Sequence, residues 1–179
     1  MTKTACVFPG QGSQRVGMLK ELADSYPQIE ATFKEASDVL GYDLWDLVQN
    51  DTDGKLNETH ITQPALLTAS VATWRVLREQ GLDVDYLAGH SLGEYSALVC
   101  GGALAFTDAV KLVEARGQFM QEAVPAGAGA MYAIIGLDDN AIADICQQTA
   151  IATGDVVAPV NFNSPGQVVI AGEKSAAEK

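Results

Sequence analysis

Gly89, Ser91 and Gly93 stand in the G-x-S-x-G spacing that a nucleophilic serine needs. A serine raised at the end of a strand holds a strained backbone conformation, and the strand must then run close beside the helix that follows. Residues without a Cβ at the i−2 and i+2 positions leave room for that approach. The apolar run Tyr86-Leu87-Ala88 before the motif and the helical pattern after it put Ser91 at a strand-to-helix turn. In such a turn Oγ faces substrate, and the N–H of Leu92 with the positive end of the helix dipole can hold an oxyanion. The alternative is a chance match in a Gly-rich connection, and the strand before and helix after weigh against it.

Two further features acquire meaning beside this turn. The loop Gly10-Gln11-Gly12-Ser13-Gln14 follows a first strand-like run, Thr4–Phe8, once Pro9 has ended ladder donation. Gly-rich turns in that place bring backbone N–H groups to an anionic or polarised group. The loop lacks the phosphate-loop pattern and G-x-G-x-x-G alike, so it is either an ordinary connection or the second wall of the oxyanion hole. Arg116 lies in the stripe Ala109, Leu112, Val113, Arg116, Met120 and Ala123 of a helix expected over 108–124 and capped by Thr107. Charge on an apolar face is costly unless paired, so Arg116 calls for a protein carboxylate, a ligand, or escape of its long stem to the surface. Near a nucleophilic serine, a planar fork suits an acyl group that carries a carboxylate.

The elements that must position these residues follow from periodicity and punctuation. Helical spacing over 31–40 and 42–49 is split at Gly41, and residues 50–57 form a polar loop. Thr62 opens a helix over 63–79, with Pro64 in its first turn and a stripe of Leu66, Leu67, Ser70, Val71, Trp74 and Leu77. A strand over 84–88 leads into the elbow, whose helix ends at Gly101-Gly102. Pro125–Gly129 reads as a hinge. Beyond it come a strand over 130–136, a helix over 138–149, strands over 156–161 and 167–172 around a turn, and a helix starting at Glu173. That order is β-α-β-β-α, one strand short of a β-α-β-β-α-β unit.

At 179 residues and 47% hydrophobic content the chain can bury a sizeable core. A formal charge of −12 and a pI near 4.4 argue against non-specific nucleic-acid binding, which needs clustered Lys and Arg. Met1–Lys3 leads directly into an apolar strand, and uncharged runs such as Tyr95–Thr107 are too short and Gly-rich to span a bilayer, so a cytoplasmic location is expected. Cys6, Cys100 and Cys146 are widely spaced within apolar segments and read as small core residues, with no metal cluster or disulfide framework implied. His60 sits in a polar loop, and His90 is adjacent to Ser91, where a sharp turn sends its side chain elsewhere.

Together, GQGSQ at 10–14, TQPALLTAS at 62–70, GHSLGEYSAL at 89–98, Arg116-Gly117 and PVNFNSPGQVVIAG at 159–172 resemble the malonyl-CoA:acyl carrier protein transacylase family, in order and along the whole chain. The resemblance implies an α/β fold with an α/β hydrolase-like large subdomain (here 1–125) and an inserted ferredoxin-like small subdomain (126–179, incomplete in this chain). It implies malonyl transfer from coenzyme A through a serine ester to the phosphopantetheine thiol of acyl carrier protein, without metal or redox cofactor. By position Ser91 matches the nucleophile, Gln11 and Leu92 the oxyanion hole, and Arg116 the carboxylate-binding arginine, while Gln63, Met120 and Asn161 fall on pocket-lining segments. The family's general-base histidine lies well downstream, so the sequence is expected to be an N-terminal part of such an enzyme. The rivals are an α/β-hydrolase esterase, which expects an HGGG-type loop that is absent here, and a non-catalytic module binding acyl-CoA or carrier protein.

Overall fold

The computed structural model describes residues 3–125 and 127–179; Met1, Thr2 and Ala126, the last within the expected hinge and at the expected start of the small subdomain, lie outside them. The chain divides into two compact units, one ending at Gln121 and the other running from Glu122 to Lys179.

In the first unit, β1 (Ala5–Phe8) is followed by α1 (Lys20–Ala23), α2 (Gln28–Leu40), α3 (Leu44–Asn50) and α4 (Thr59–Glu79). Then come β2 (Tyr86–Gly89), α5 (Leu92–Cys100) and α6 (Phe106–Glu122). Gly41 closes α2 in the left-handed region at φ 80°, and Asp43 opens α3 by accepting from the Asp46 N–H at 2.9 Å. Those two signals explain the break between the helices. The core gathers Ile29, Phe33, Leu44, Val48, Leu67, Leu92 and Val110, with the Phe33 ring 4.9 Å from Trp45.

Helix α4 is buried well beyond the expected stripe. It packs between α2 and α5, and every residue from Ile61 to Ala69 is buried, whereas Leu77 is exposed. A helix surrounded on several sides has no single apolar face. It also starts earlier than Thr62. The Thr62 hydroxyl donates instead to the carbonyls of Leu56 and Glu58, at 2.6 and 3.1 Å, which is a bond back along the chain and not a cap.

The stripe of α6 is likewise displaced. Its buried residues are Phe106, Ala109, Val110, Val113 and Gly117, while Leu112, Met120 and Ala123 are exposed. Gly117 accounts for the rotation, since a Cβ there would meet the backbone of His60 and Thr59, so α6 crosses the start of α4 at this glycine. Arg116 therefore borders the buried line instead of lying within it, half-buried. Thr107 is the second helical residue of α6 and not its cap.

In the second unit β3 (Gly129–Ile135), α7 (Asp139–Thr153), β4 (Val157–Ser164), β5 (Gln167–Glu173) and α8 (Lys174–Ala177) follow in sequence. The sheet order is β3-β5-β4, antiparallel throughout, with register shifts in β4 at Pro159/Asn161 and Phe162/Ser164. Ile142 and Cys146 of α7 and Ala176 of α8 pack against Val157, Val168 and Ile170. Asp138 caps α7 and Gly154 ends it. Cys146 is thus a core residue, but Cys6 and Cys100 are only half-buried, because each sits at the margin of the first unit's layers.

Candidate active site

The strand-to-helix turn is built by backbone contact. β1 and β2 pair in parallel from Ala5↔Tyr86 to Phe8↔Gly89, and the His90 N–H continues the ladder to the Phe8 carbonyl at 3.1 Å. Ser91 then takes φ 52°, ψ −108°, a positive-φ conformation that a residue with a Cβ adopts only under strain. A Cβ on Gly89 would fall on the backbone of Gly93, and one on Gly93 would fall on the Phe8 carbonyl. Both glycines of the motif are therefore fixed by strand–helix separation, with no flexible side chain able to yield. Gly93→Ala is expected to lower stability by about 1–3 kcal/mol, read as a lower Tm; an unchanged Tm would show that α5 can shift away from β1 after all.

The Gly-rich loop lies against the same turn. A Cβ on Gly10 would sit 2.8 Å from the His90 carbonyl oxygen and 3.0 Å from its Nδ1, which is how closely the loop and elbow pack. Gln11 Nε2 donates to Thr59 Oγ1 at 3.2 Å and Gln14 Nε2 to Asn57 Oδ1 at 2.8 Å, which pins the loop to the start of α4. Leu92 is the first residue of α5, so its N–H has no carbonyl partner within the helix, while its side chain is buried in the core.

Arg116 reaches the serine. Its Nη2 donates to Ser91 Oγ at 3.2 Å and its Nη1 to Gln63 Oε1 at 2.6 Å. Gln63 is fully buried and its Nε2 donates to the Met120 sulfur at 3.4 Å. Four of the residues singled out from sequence, Ser91, Arg116, Gln63 and Met120, thus form one connected group. Among the described residues the ion pairs involve other side chains, so the partners of Arg116 are neutral. Its charge is oriented but not neutralised, and a carboxylate presented beside Ser91 would find free N–H donors. Asn161 belongs to the second unit, on β4 opposite Val169.

The histidines take other places. His60 is in the first turn of α4 and not in a loop, half-buried, with Nδ1 2.6 Å from Gln121 Oε1 and Nε2 3.7 Å from a Glu58 carboxylate oxygen. His90 turns onto Gly10. Among the described residues neither is hydrogen-bonded to Ser91 Oγ, and no group of His, Cys, Asp and Glu is arranged to hold a metal ion. The cysteines offer no rival nucleophile. Burial, with Cys6 nearby, pushes the Cys100 thiol up to about 12, and burial raises Cys6 and Cys146 as well.

Sequence reasoning missed Tyr95, whose ring lies under the Arg116 guanidinium with Cζ 5.6 Å from the ring centroid. It also missed Thr59 as the anchor of Gln11.

The unit therefore defines a class, an α/β protein with a serine held in a nucleophile elbow and a cation beside it. The chain belongs to the acyl transferase domain family, which matches residues 5–179. It is 65% identical over 180 residues to the malonyl CoA-acyl carrier protein transacylase of Salmonella typhimurium, covering 100% of this chain and 58% of that protein. Among solved structures it resembles an acyl carrier protein S-malonyltransferase from Vibrio cholerae, with 65% identity, a TM-score of 0.94, and coverage of 99% of this chain and 57% of that one. A malonyl-transacylase in complex with a type II PKS acyl-carrier protein is similar too, at 62% identity and a TM-score of 0.95, over 99% of this chain and 57% of that one. The chain thus spans a little over half the length of the relatives it matches. No helix among the described residues is long and apolar enough to cross a membrane.

Proposed function

We propose that the protein transfers a malonyl group from coenzyme A to the phosphopantetheine thiol of an acyl carrier protein, in fatty acid synthesis in the cytoplasm. The observation that carries this reading is the un-neutralised Arg116 guanidinium 3.2 Å from Ser91 Oγ. An esterase for neutral acyl groups has no use for a cation at its nucleophile, whereas an acyl group ending in a carboxylate does. The malonyl transferases among its relatives support the choice of acyl group.

In this mechanism Ser91 Oγ attacks the thioester carbonyl and the amides of Gln11 and Leu92 hold the oxyanion. Coenzyme A leaves as its thiol, and a malonyl ester remains on Ser91. The carrier thiol attacks that ester and regenerates the serine, a ping-pong cycle. Arg116 holds the malonyl carboxylate throughout, with Gln63 fixing one edge of its fork and Met120 beside Gln63. Acyl exchange between thiols changes no oxidation state, so the scheme calls for no redox cofactor, and it assigns the oxyanion to backbone amides and not to a metal. Deprotonating Ser91 requires a base that then gives the proton to the departing coenzyme A sulfur; His60, engaged by Gln121, and His90, turned onto Gly10, are not placed for it among the described residues. On this reading the first unit is part of an α/β hydrolase-like subdomain and the second part of a ferredoxin-like one.

The test is incubation of the full-length protein with malonyl-CoA, followed by intact mass and peptide mapping. One malonyl group on Ser91, removed by added carrier protein in its thiol form, is the expected result. Hydrolysis without a transferable adduct would favour the esterase, and no adduct at all would favour a binding module.

A further inference from the structure

A guanidinium held by hydrogen bonds alone has its donors fixed but can still tilt about them. Gln63 and Ser91 both accept from Arg116 through its Nη atoms, at 2.6 and 3.2 Å, and so both bonds act at one end of the group. What restrains such motion is the attraction of the cation to an aromatic ring, and Tyr95 supplies it, with Arg116 Cζ over the ring 5.6 Å from its centroid. Tyr95 is half-buried, packs against the main core of its unit, and lies on α5 one turn beyond Ser91. Ser91 is the residue just before α5 and Tyr95 lies in its first turn, so the ring and the nucleophile sit at one end of the same helix. Arg116, by contrast, comes from α6.

We propose that Tyr95 is a positioning residue for acyl selection, holding the Arg116 cation over its ring so that the bound carboxylate keeps a fixed place relative to Ser91 Oγ. The inference rests on the malonyl-transfer reading. Its chemical content is that α5 sets both ends of the acyl group: the carbonyl carbon through Ser91 and the carboxylate through the ring under Arg116. A neutral acyl group has no carboxylate to place and senses the ring only through the Arg116 bond to Ser91 Oγ. Tyr95 thereby acts chiefly on discrimination.

The experiment compares kcat/KM for acylation of the full-length protein by malonyl-CoA and by acetyl-CoA. Tyr95→Leu, which keeps an apolar side chain but loses the ring, is expected to lower the malonyl value by roughly 2- to 30-fold, chiefly through KM. The acetyl value should fall by less, so that the malonyl-to-acetyl ratio drops. Tyr95→Phe and Tyr95→Trp keep a ring face and are expected to retain malonyl preference. Should the leucine variant not fold, Tyr95→Met serves as the ringless variant. A ringless variant with an unchanged malonyl-to-acetyl ratio overturns the inference alone, as does a phenylalanine variant that loses as much as leucine. A parent protein that shows no malonyl preference overturns the malonyl-transfer reading, and this inference with it.

Discussion

Ser91→Ala is expected to abolish the malonyl adduct completely while leaving Tm within a degree or two of the parent. The hydroxyl is the only atom removed, and the backbone at φ 52° must still be held by the same strand, helix and glycine contacts. Ser91→Gly separates chemistry from strain. It too should lose the adduct, but glycine occupies positive φ without the steric cost borne by serine, so stability should rise by about 1 kcal/mol. Intact mass after exposure to malonyl-CoA and a thermal melt of the three proteins measure both effects. An alanine variant labelled as fully as the parent would place the acyl group on another side chain and remove the basis for an elbow nucleophile.

Arg116→Ala is the second large effect. Truncating one partner of a desolvated charge pair typically costs about 2–5 kcal/mol, and malonyl-CoA should lose acylation efficiency on that scale. Acetyl-CoA has no carboxylate to leave unpaired, so its use should rise relative to malonyl-CoA. Gln63 sharpens the expectation: its buried Oε1 accepts from Arg116 at 2.6 Å, so the alanine variant also orphans an acceptor and should lose some stability. Lys in place of Arg restores charge but not the fork, and is expected to recover only part of the malonyl preference. The ratio of malonyl to acetyl acylation in the three proteins measures this. Preference for malonyl that survives in Arg116→Ala would make the arginine a structural donor to Gln63.

How far the site was legible depends on what kind of signal each residue leaves. Ser91 announced itself because strain requires glycines at fixed offsets, and spacing is visible in one dimension. The strands β1 and β2 and the β3-α7-β4-β5-α8 order were legible for a similar reason, since turns and caps punctuate them. Arg116 was visible as an ion on an apolar helix, but its actual setting was not. The expected stripe assumed that the largest apolar residues face inward, whereas Gly117 turns α6 so that a residue with no side chain makes the closest contact. The same limit hid the extent of α4, whose burial on several sides comes from neighbours far along the chain. Tyr95 was invisible for a different reason. A tyrosine on a half-buried helix face is an ordinary core residue until a guanidinium from another helix is known to lie over it.

The pairing of β1 with β2 also has a kinetic consequence. Thr4 and Asp85, 81 positions apart, are joined by a 2.9 Å hydrogen bond at the mouth of the ladder, and the elbow at Ser91 hangs from the far end of the same two strands. Closing so long a loop is slow and is repaid only when the helices between have already packed, so contact order puts the strand pairing late in folding. Helices α2 to α4 are local and can form first. The conformation of Ser91, which relies on β1 lying against α5 through Gly93, then arises in the last steps. Ser91 is therefore expected to reach its positive-φ turn only once the amino-terminal strand has docked.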